Sequence, residues 1–120
     1  MLKVIYMFEY VNLSYLDSIS DGDSDFQKEV IQVFLEQIPR FLNNMRKYLS
    51  ENDNEMLMRE AHTAKSSVLV FMMEDTGNLF KAIKQLAEKN QTENISEMID
   101  QIDAALQGAS RELTDYIKTI

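Results

Sequence analysis

The sequence predicts an all-α protein: an antiparallel up-down-up-down four-helix bundle with a short additional N-terminal helix. Three observations lead to this fold class. The 120 residues include only three Gly and one Pro, so turns are few and the elements between them are long. Apolar residues recur with helical spacing in four successive stretches. The polar segments between these stretches are short, which makes neighbouring helices antiparallel.

The first two helices are predicted on either side of the loop SDGDSD. The stretch NLSYLDSIS, residues 12–20, reads as the short helix. Ser24, with Gln27 three positions later, fits a capping box that opens a long second helix. Pro39 lies inside this helix, and we expect a kink rather than an end because the apolar pattern continues in phase beyond it. That pattern is a wide stripe of Ile31, Phe34, Leu35, Ile38, Phe41, Leu42, Met45, Tyr48 and Leu49.

Three further helices follow. Asn52 with Glu55 predicts the cap of the third, which is expected to run to about Met73 before EDTGN breaks it. A shorter fourth helix is expected to end near Asn90. Asn94 with Glu97 repeats the capping pattern for the last helix. The apolar stripes of the last two helices are Leu79, Ile83 and Leu86, and then Ile95, Ile99, Ile102, Leu106, Ala109, Leu113, Tyr116 and Ile120.

Charge and composition exclude several classes of function. The net charge of −8 disfavours nucleic-acid binding. No apolar run approaches the ~20 residues that span a bilayer, and the apolar segment 1–11 lacks a signal-peptide cleavage site, so we expect a cytoplasmic protein. The absence of Cys and the presence of one His argue against a metal site. Residues 1–120 are expected to form one domain.

The single histidine lies in the stretch AHTAKSS, residues 61–67. The core stripe of the third helix is Leu57, Ala61, Ala64, Val68 and Phe71, and at about 100° per residue its centre lies roughly 140° from His62. The imidazole is therefore predicted to face outward. An incidental surface histidine remains the plain alternative.

The neighbours of His62 on the helix favour a chemical role. Lys65 follows at i+3 on the same face, and its ammonium group is suited to neutralising part of the charge of a phosphoryl group on the imidazole. Arg59 adds positive charge at i−3. Ser66 is small, so it leaves His62 open to an approaching partner. The alternative for Arg59 and Lys65 is simple solvation, or pairing with Glu55 or Glu60, and for Ser66 it is no role at all.

Apolar side chains are also predicted near this face. Met58, Leu69 and Met73 fall within about 40° of His62 on a helical wheel. Either another helix covers them or they dock a partner, and methionine adapts well to more than one partner shape. The adjacent charges of the His62 face favour docking.

The sequence contains no machinery that would generate a phosphoryl group. With one histidine, no nucleophile–base–orienter set can be assembled. The P-loop and protein-kinase signatures are both absent. A histidine that accepts and releases a phosphoryl group would therefore depend on a partner protein.

The sequence resembles the histidine-containing phosphotransfer (HPt) domains of bacterial two-component phosphorelays. The family motif is His, two residues, Lys and then small residues, and it stands here as AHTAKSS. Upstream, residues 12–45 resemble the family in their Leu-x-x-Leu, Gly-Asp-x-x-Phe and Phe-Leu-x-x-x-Pro elements. The resemblance covers about residues 12–90. It departs at Ser66, where the family usually has Gly.

The resemblance implies a role for each site residue. His62 would be the phosphoryl acceptor and Lys65 its charge stabiliser, in a carrier that is not an independent enzyme. The partners would be response-regulator receiver domains, which bring the aspartate and Mg²⁺, and a sensor or hybrid histidine kinase; this chain itself would bind no cofactor. A polar residue of the following helix, Lys84 or Gln85, would contact the phosphohistidine region.

A different class of function remains open from the sequence. The chain would then be a helical adaptor that binds protein partners through Met58, Leu69 and Met73 without phosphorylation, and His62 and Lys65 would be incidental. Loss of transfer on replacing His62 separates the two hypotheses. The sequence leaves open the cognate kinase and receivers, the pathway, the oligomeric state, the role of residues 1–11, and whether the domain stands alone.

Overall fold

The computed structural model describes residues 8–120, and every regular element within them is an α-helix. Predictions for residues 1–7 lie outside the described residues. The five helices are α1 (Ser14–Ser20), α2 (Ser24–Ser50), α3 (Asn54–Val70), α4 (Glu74–Glu88) and α5 (Ile95–Ile117). Helices α2 to α5 each pack on their neighbours along the chain, α2 also packs on α5, and α1 lies against α2. The predicted four-helix bundle with a short N-terminal helix is confirmed.

The core contains most of the predicted stripes of α2, α3 and α5. On α4 the prediction is partly wrong, because Phe80 and Ile83 are fully buried whereas Leu79 and Leu86 are only partly buried. On α5, Ile95, Ile99, Ile102, Leu106, Ala109 and Leu113 are fully buried, because their spacing keeps them on one face of a helix. Phe34 of α2 stacks on Phe71 with ring centroids 4.4 Å apart, which joins α2 to the end of α3. Pro39 is exposed inside α2, and the helix continues through it as predicted.

Two of the three predicted helix caps are displaced by one residue, and the third is in the predicted position. Asp23, not Ser24, caps α2 by accepting the backbone N–H of Phe26, and Asp53, not Asn52, caps α3 by accepting that of Met56. Asn94 precedes α5 but makes no side-chain capping bond. Serine, aspartate and asparagine are nearly equivalent as caps, so the conformation of the preceding loop decides between adjacent candidates.

Gln27 has a structural role that the predicted capping box does not describe. Its buried amide nitrogen donates to Asp17 Oδ1 at 2.7 Å and to Ser20 Oγ at 3.0 Å. Its amide oxygen accepts the hydroxyl of Tyr116 at 3.3 Å. The side chain therefore links α1 and α5 to the first turn of α2, and it holds α1 in place on the bundle.

The third helix ends earlier than predicted. Helix α3 ends at Val70, and the chain reverses through Phe71, Met72 and Met73 with Met72 in the left-handed region at φ 56°. The stretch EDTGN is the first turn of α4 rather than a break. Gly77 lies under Leu69, where a β-carbon would meet Leu69 Cδ2 at 3.0 Å, so its small size allows α3 and α4 to pack closely after the turn.

An N-terminal strap, residues 8–13, crosses the bundle before α1. The carboxylate of Glu112 accepts three successive backbone N–H groups, from Glu9 at 2.6 Å, Tyr10 at 2.9 Å and Val11 at 3.1 Å. The N–H of Asn12 donates to the carbonyl of Phe71 at 3.0 Å. The strap is thus fastened to α5 and to the end of α3. None of the helices in the described part of the chain is long and apolar enough to cross a membrane.

Candidate functional site

His62 lies near the middle of α3 with its side chain exposed. Ala61, Ala64 and Val68 of the same helix are completely buried. The prediction that the imidazole faces away from the core is therefore confirmed. The orientation follows from the helical period alone, because burying one stripe of α3 fixes the direction of every other side chain on it.

Two open grooves flank the imidazole. The α3–α4 groove, about 300 Å³, separates His62 from the fourth helix; its lining is Ala61, His62, Lys65, Phe80, Lys81, Lys84, Gln85 and Glu88. The Met58 groove, about 510 Å³, lies on the other side and is lined by Glu55, Met58, Arg59, His62, Thr63 and Lys84. An incoming group can thus reach the ring from solvent.

Lys65 and Arg59 differ in how available their charges are. Lys65 is partly buried in the α3–α4 groove beside His62 and forms no ion pair with any carboxylate of residues 8–120. Arg59 pairs with Glu55 at 3.0 Å, and both side chains are largely exposed. Such exposed pairs are weak, but the guanidinium is directed along α3 toward Glu55. Lys65 is therefore the better placed of the two for a group on His62.

Ser66 is exposed one turn beyond His62, where it replaces the glycine usual in the resembling family. Its hydroxyl donates to the carbonyl oxygen of His62 at 3.4 Å, a long hydrogen bond along the helix. The hydroxyl is thus used within α3 rather than directed at the imidazole. The side chain remains small enough to leave access to the ring.

Lys84 and Gln85 of the fourth helix contribute differently to the surroundings of His62. Lys84 is partly buried and lines both grooves that flank His62. Gln85 is exposed and lines only the α3–α4 groove. Spacing along the sequence left the two equivalent, whereas the packing of α4 on α3 distinguishes them.

The predicted apolar face is only partly present. Leu69 is 40% exposed, and Met58 is partly buried against the core while lining its groove. The prediction that Met73 shares this face is wrong, because Met73 lies beyond the end of α3 and is only 4% exposed. The helical wheel placed it outward, but the chain leaves the helix at Val70 and turns Met73 into the core.

An apolar surface on α2 was not predicted from the sequence. The α2–α3 groove, about 370 Å³, is lined by Phe26, Glu29, Val30, Val33, Phe34, Gln37, Ser67, Val70 and Phe71. Phe26 and Val33 are exposed, and so are Tyr15 and Ile19 of α1. The signal was present in the sequence, since Phe26, Val30 and Val33 follow at i, i+4 and i+7 beside the main stripe. Ser67 of this groove lies about 7.5 Å beyond His62 along α3.

Comparison with known proteins now identifies the family. The Hpt domain family model matches residues 29–112, which is more than half of the chain and includes His62 and Lys65. This protein belongs to the Hpt domain family. Members of this family are phosphocarriers of two-component signalling, and they interact with receiver domains and histidine kinases.

A solved structure supports the assignment of the fold. The crystal structure of histidine-containing phosphotransfer protein B (HptB) from Pseudomonas aeruginosa PAO1 superimposes with a TM-score of 0.85 at 13% sequence identity, covering 93% of this chain and 97% of that chain. At this identity the similarity establishes the Hpt fold. No match was found among curated proteins.

Proposed function

We propose that this Hpt domain is a phosphorelay intermediate in which His62 carries the phosphoryl group. It accepts the group from a receiver phosphoaspartate or a kinase phosphohistidine and passes it to a receiver aspartate. The observation that carries this proposal is the exposure of the only imidazole of the chain on α3, with Lys65 one turn further on. Both lie within the matched Hpt region.

The transfer is a displacement at phosphorus. An unprotonated ring nitrogen of His62 attacks the phosphorus in line, a P–N bond forms, and the bond from phosphorus to the donor carboxylate oxygen or donor imidazole breaks. The leaving group keeps the electron pair of the broken bond. Lys65 neutralises part of the charge on the phosphoryl oxygens. The return step reverses these bond changes with a receiver carboxylate as acceptor.

The chain is proposed to act stoichiometrically, without kinase activity of its own. Its sequence has no second histidine and no nucleotide-binding motif. The receiver is expected to supply the aspartate and the Mg²⁺, so no metal is assigned to this chain. Donor, carrier and acceptor would meet in the cytoplasm.

The receiver is proposed to dock over the α2–α3 groove and Leu69. Val33 is 48% exposed and Phe26 is 38% exposed. Neighbouring apolar side chains that stay in contact with solvent are typical of an interaction surface. The groove reaches Ser67, which lies about 7.5 Å along α3 and about 140° around it from His62, so a receiver that contacts both must extend from the groove across the outer surface of α3. Tyr15 and Ile19 of α1 are exposed apolar side chains as well.

Phosphotransfer from a phosphorylated receiver domain to this protein tests the central proposal. A receiver domain phosphorylated with acetyl phosphate and Mg²⁺ is mixed with this protein, and intact mass is measured for a single added phosphoryl group. We expect an adduct that is labile in acid and stable in base, and that is absent from His62→Gln at unchanged helicity. An adduct that persists in His62→Gln would refute the assignment. Receiver binding without any adduct would instead favour the adaptor function.

A matched pair of α2 variants tests the docking surface. Val33→Asp places a charge in the α2–α3 groove and is expected to lower the rate of transfer from the receiver at least about tenfold, since a buried unpaired charge at an interface costs several kcal/mol. Gln32→Asp adds the same charge at an exposed neighbour outside the groove and should leave the rate within about twofold. Equal rates for the two variants would place the docking surface elsewhere.

A further inference from the structure

An acidic groove of about 500 Å³ lies where the N-terminal strap passes the turn between α3 and α4. Its lining is Glu9, Tyr10, Met72, Met73, Glu74, Asp75, Thr76 and Ala105. Three of these residues carry carboxylates, and none carries a positive charge. Within residues 8–120, no carboxylate of the groove forms an ion pair. The negative charge of the groove is therefore available to a ligand from solution.

The dipole of α4 explains only part of this cluster. Glu74 and Asp75 lie in the first turn of α4, where acidic side chains are common because they stabilise the positive end of a helix. Glu9 belongs to the strap, which forms no regular element. Its carboxylate reaches the same groove because the carboxylate of Glu112 holds the backbone of the strap on α5. The tertiary structure therefore adds a carboxylate that the stability of α4 does not account for.

Thr76 is an independent sign of a ligand. It is only 5% exposed and lines the acidic groove. None of the side-chain hydrogen bonds in the described part of the chain involves its hydroxyl, although a hydroxyl buried this deeply normally has a partner. The completely enclosed polar side-chain atoms of these residues all have partners, so the hydroxyl of Thr76 must reach the open space of the groove. It can therefore bond a polar group that enters there.

The arrangement of the carboxylates favours an arginine side chain over a metal ion. No three acidic side chains among residues 8–120 converge closely enough to hold a metal ion. A guanidinium group is wider, and its five N–H donors can reach several separate acceptors. Tyr10 and Met73 give the groove an apolar part, on which the aliphatic stem of an arginine can lie. The groove thus offers a surface to each part of this side chain.

The rim of the acidic groove indicates that the arginine belongs to a protein. Met72 is 39% exposed and Leu69 is 40% exposed, and Leu69 lies on Gly77 in the first turn of α4. Exposed apolar side chains beside a polar groove are typical of a protein interaction surface. This surface continues from the α2–α3 groove, because Val70 and Phe71 line that groove and the next two residues of the chain line the acidic groove.

We infer that the acidic groove binds an arginine side chain of a partner protein. The three carboxylates hold the guanidinium group, and the hydroxyl of Thr76 accepts one of its N–H groups. None of the residues of the acidic groove lines either groove beside His62. The inference is therefore independent of phosphoryl transfer and goes beyond the proposed function.

Binding of an arginine peptide to the whole protein is measured by ¹H–¹⁵N NMR. The probe is acetyl-Gly-Arg-Gly-amide, and its control is the same peptide with citrulline, which has nearly the same shape but no charge. We expect saturable shifts with a millimolar Kd for the backbone amides of Tyr10 and of residues 74–76. The citrulline peptide should bind at least about tenfold more weakly, because it makes no charge-assisted hydrogen bonds. Equal binding of the two peptides would refute the inference.

Matched variants locate the site. Thr76→Val keeps the shape of the side chain and should weaken binding about fivefold by removing the hydroxyl, without lowering Tm, because that hydroxyl has no partner in the free protein. Glu9→Gln should weaken binding about two- to fivefold, the range for one exposed charge pair. Glu36→Gln removes an exposed carboxylate of α2 outside the groove and should leave the Kd within about 1.5-fold, because distant charges are screened. Wild-type affinity in both Thr76→Val and Glu9→Gln would contradict the proposed site.

Titrations with free arginine, spermidine and Mg²⁺ separate a protein partner from other sources of positive charge. At the same ionic strength, each should shift the groove amides less than the arginine peptide does, because free arginine carries a carboxylate that the groove repels and the other two lack a guanidinium group. Tighter binding of free arginine would make the groove a small-molecule site. Tighter binding of spermidine or Mg²⁺ would make it a general cation site, and either result would overturn the inference. These measurements involve no phosphoryl group, so such a result leaves the phosphocarrier function of His62 unaffected.

Discussion

Gly108 of α5 lies directly beneath the ring of Tyr10 in the N-terminal strap, and Gly108→Ala is expected to destabilise the protein. An ideal β-carbon at this position would come well inside 3.0 Å of three ring carbons of Tyr10. Because the ring cannot share that space with a methyl group, it must move off α5. The close approach of strap and helix therefore depends on the missing side chain at residue 108.

Two opposing free-energy changes determine the size of the effect. Alanine improves helix propensity by about 1 kcal/mol over glycine. Displacing a half-buried tyrosine returns about 100 Å² of apolar surface to water, which costs about 2.5 kcal/mol. The expected result is a net loss of about 1.5 kcal/mol in the free energy of unfolding, or a fall in Tm of about 5 °C for a domain of this size.

A double-mutant cycle with Tyr10→Ala tests this reasoning. Urea unfolding followed by circular dichroism is measured for the wild type, both single variants and the double variant. Without the ring, Gly108→Ala should stabilise the protein by about 1 kcal/mol, because only the gain in helix propensity remains. If Gly108→Ala stabilises the wild-type background, or if its effect has the same sign in both backgrounds, the packing of Tyr10 is not the reason why residue 108 must be glycine.

Three further stability predictions use the same unfolding assay. Met72→Gly should raise the free energy of unfolding by about 1 kcal/mol, because Met72 adopts φ 56° in the turn between α3 and α4 and glycine takes this conformation without strain. A loss of stability would mean that packing of the Met72 side chain outweighs the strain. Glu112→Ala should lower the free energy of unfolding by about 2 kcal/mol, because three strap N–H groups lose a charged acceptor. Glu112→Gln should lower it by about half as much. No change in either variant would show that these hydrogen bonds contribute nothing to stability. Pro39→Ala should stabilise α2 by about 1–2 kcal/mol, because Pro39 is exposed in the helix interior and alanine restores a backbone hydrogen bond. A neutral result would mean that the lower entropy of the proline-containing unfolded chain offsets the restored hydrogen bond.

The interior of the bundle was largely predictable from the sequence. The stripes of α2, α3 and α5 bury the residues that helical spacing selected, including Ile31, Leu57 and Ile102. Periodicity works here because an amphipathic helix has only one face to bury. The ends of the helices were less predictable. Asp23 and Ser24 are both good capping residues, and Met73 continued the pattern of α3 although the chain had already turned at Met72.

Most of the contacts that hold the strap in place had no sequence signal. Residues 8–13 form no regular element, and their main partner, Glu112, lies about one hundred positions away along the chain. The surface of Phe26, Val30 and Val33 did have a signal in its helical spacing. It was overlooked because the neighbouring stripe of α2 accounted for the core, and one helix can carry both a buried face and an exposed apolar face.

The sequence by itself determined the number of helices, the buried faces of α2, α3 and α5, and the outward direction of His62 with Lys65 one turn away, because each of these follows from a period of 3.6 residues within one helix. Only the tertiary structure decided that Lys84 rather than Gln85 lines both grooves beside the imidazole, that Met73 is buried, and that the apolar side chains of α2 form a groove with α3. These facts depend on how far one helix is rotated and shifted against the next. Side-chain packing sets that relation, and no local pattern encodes it.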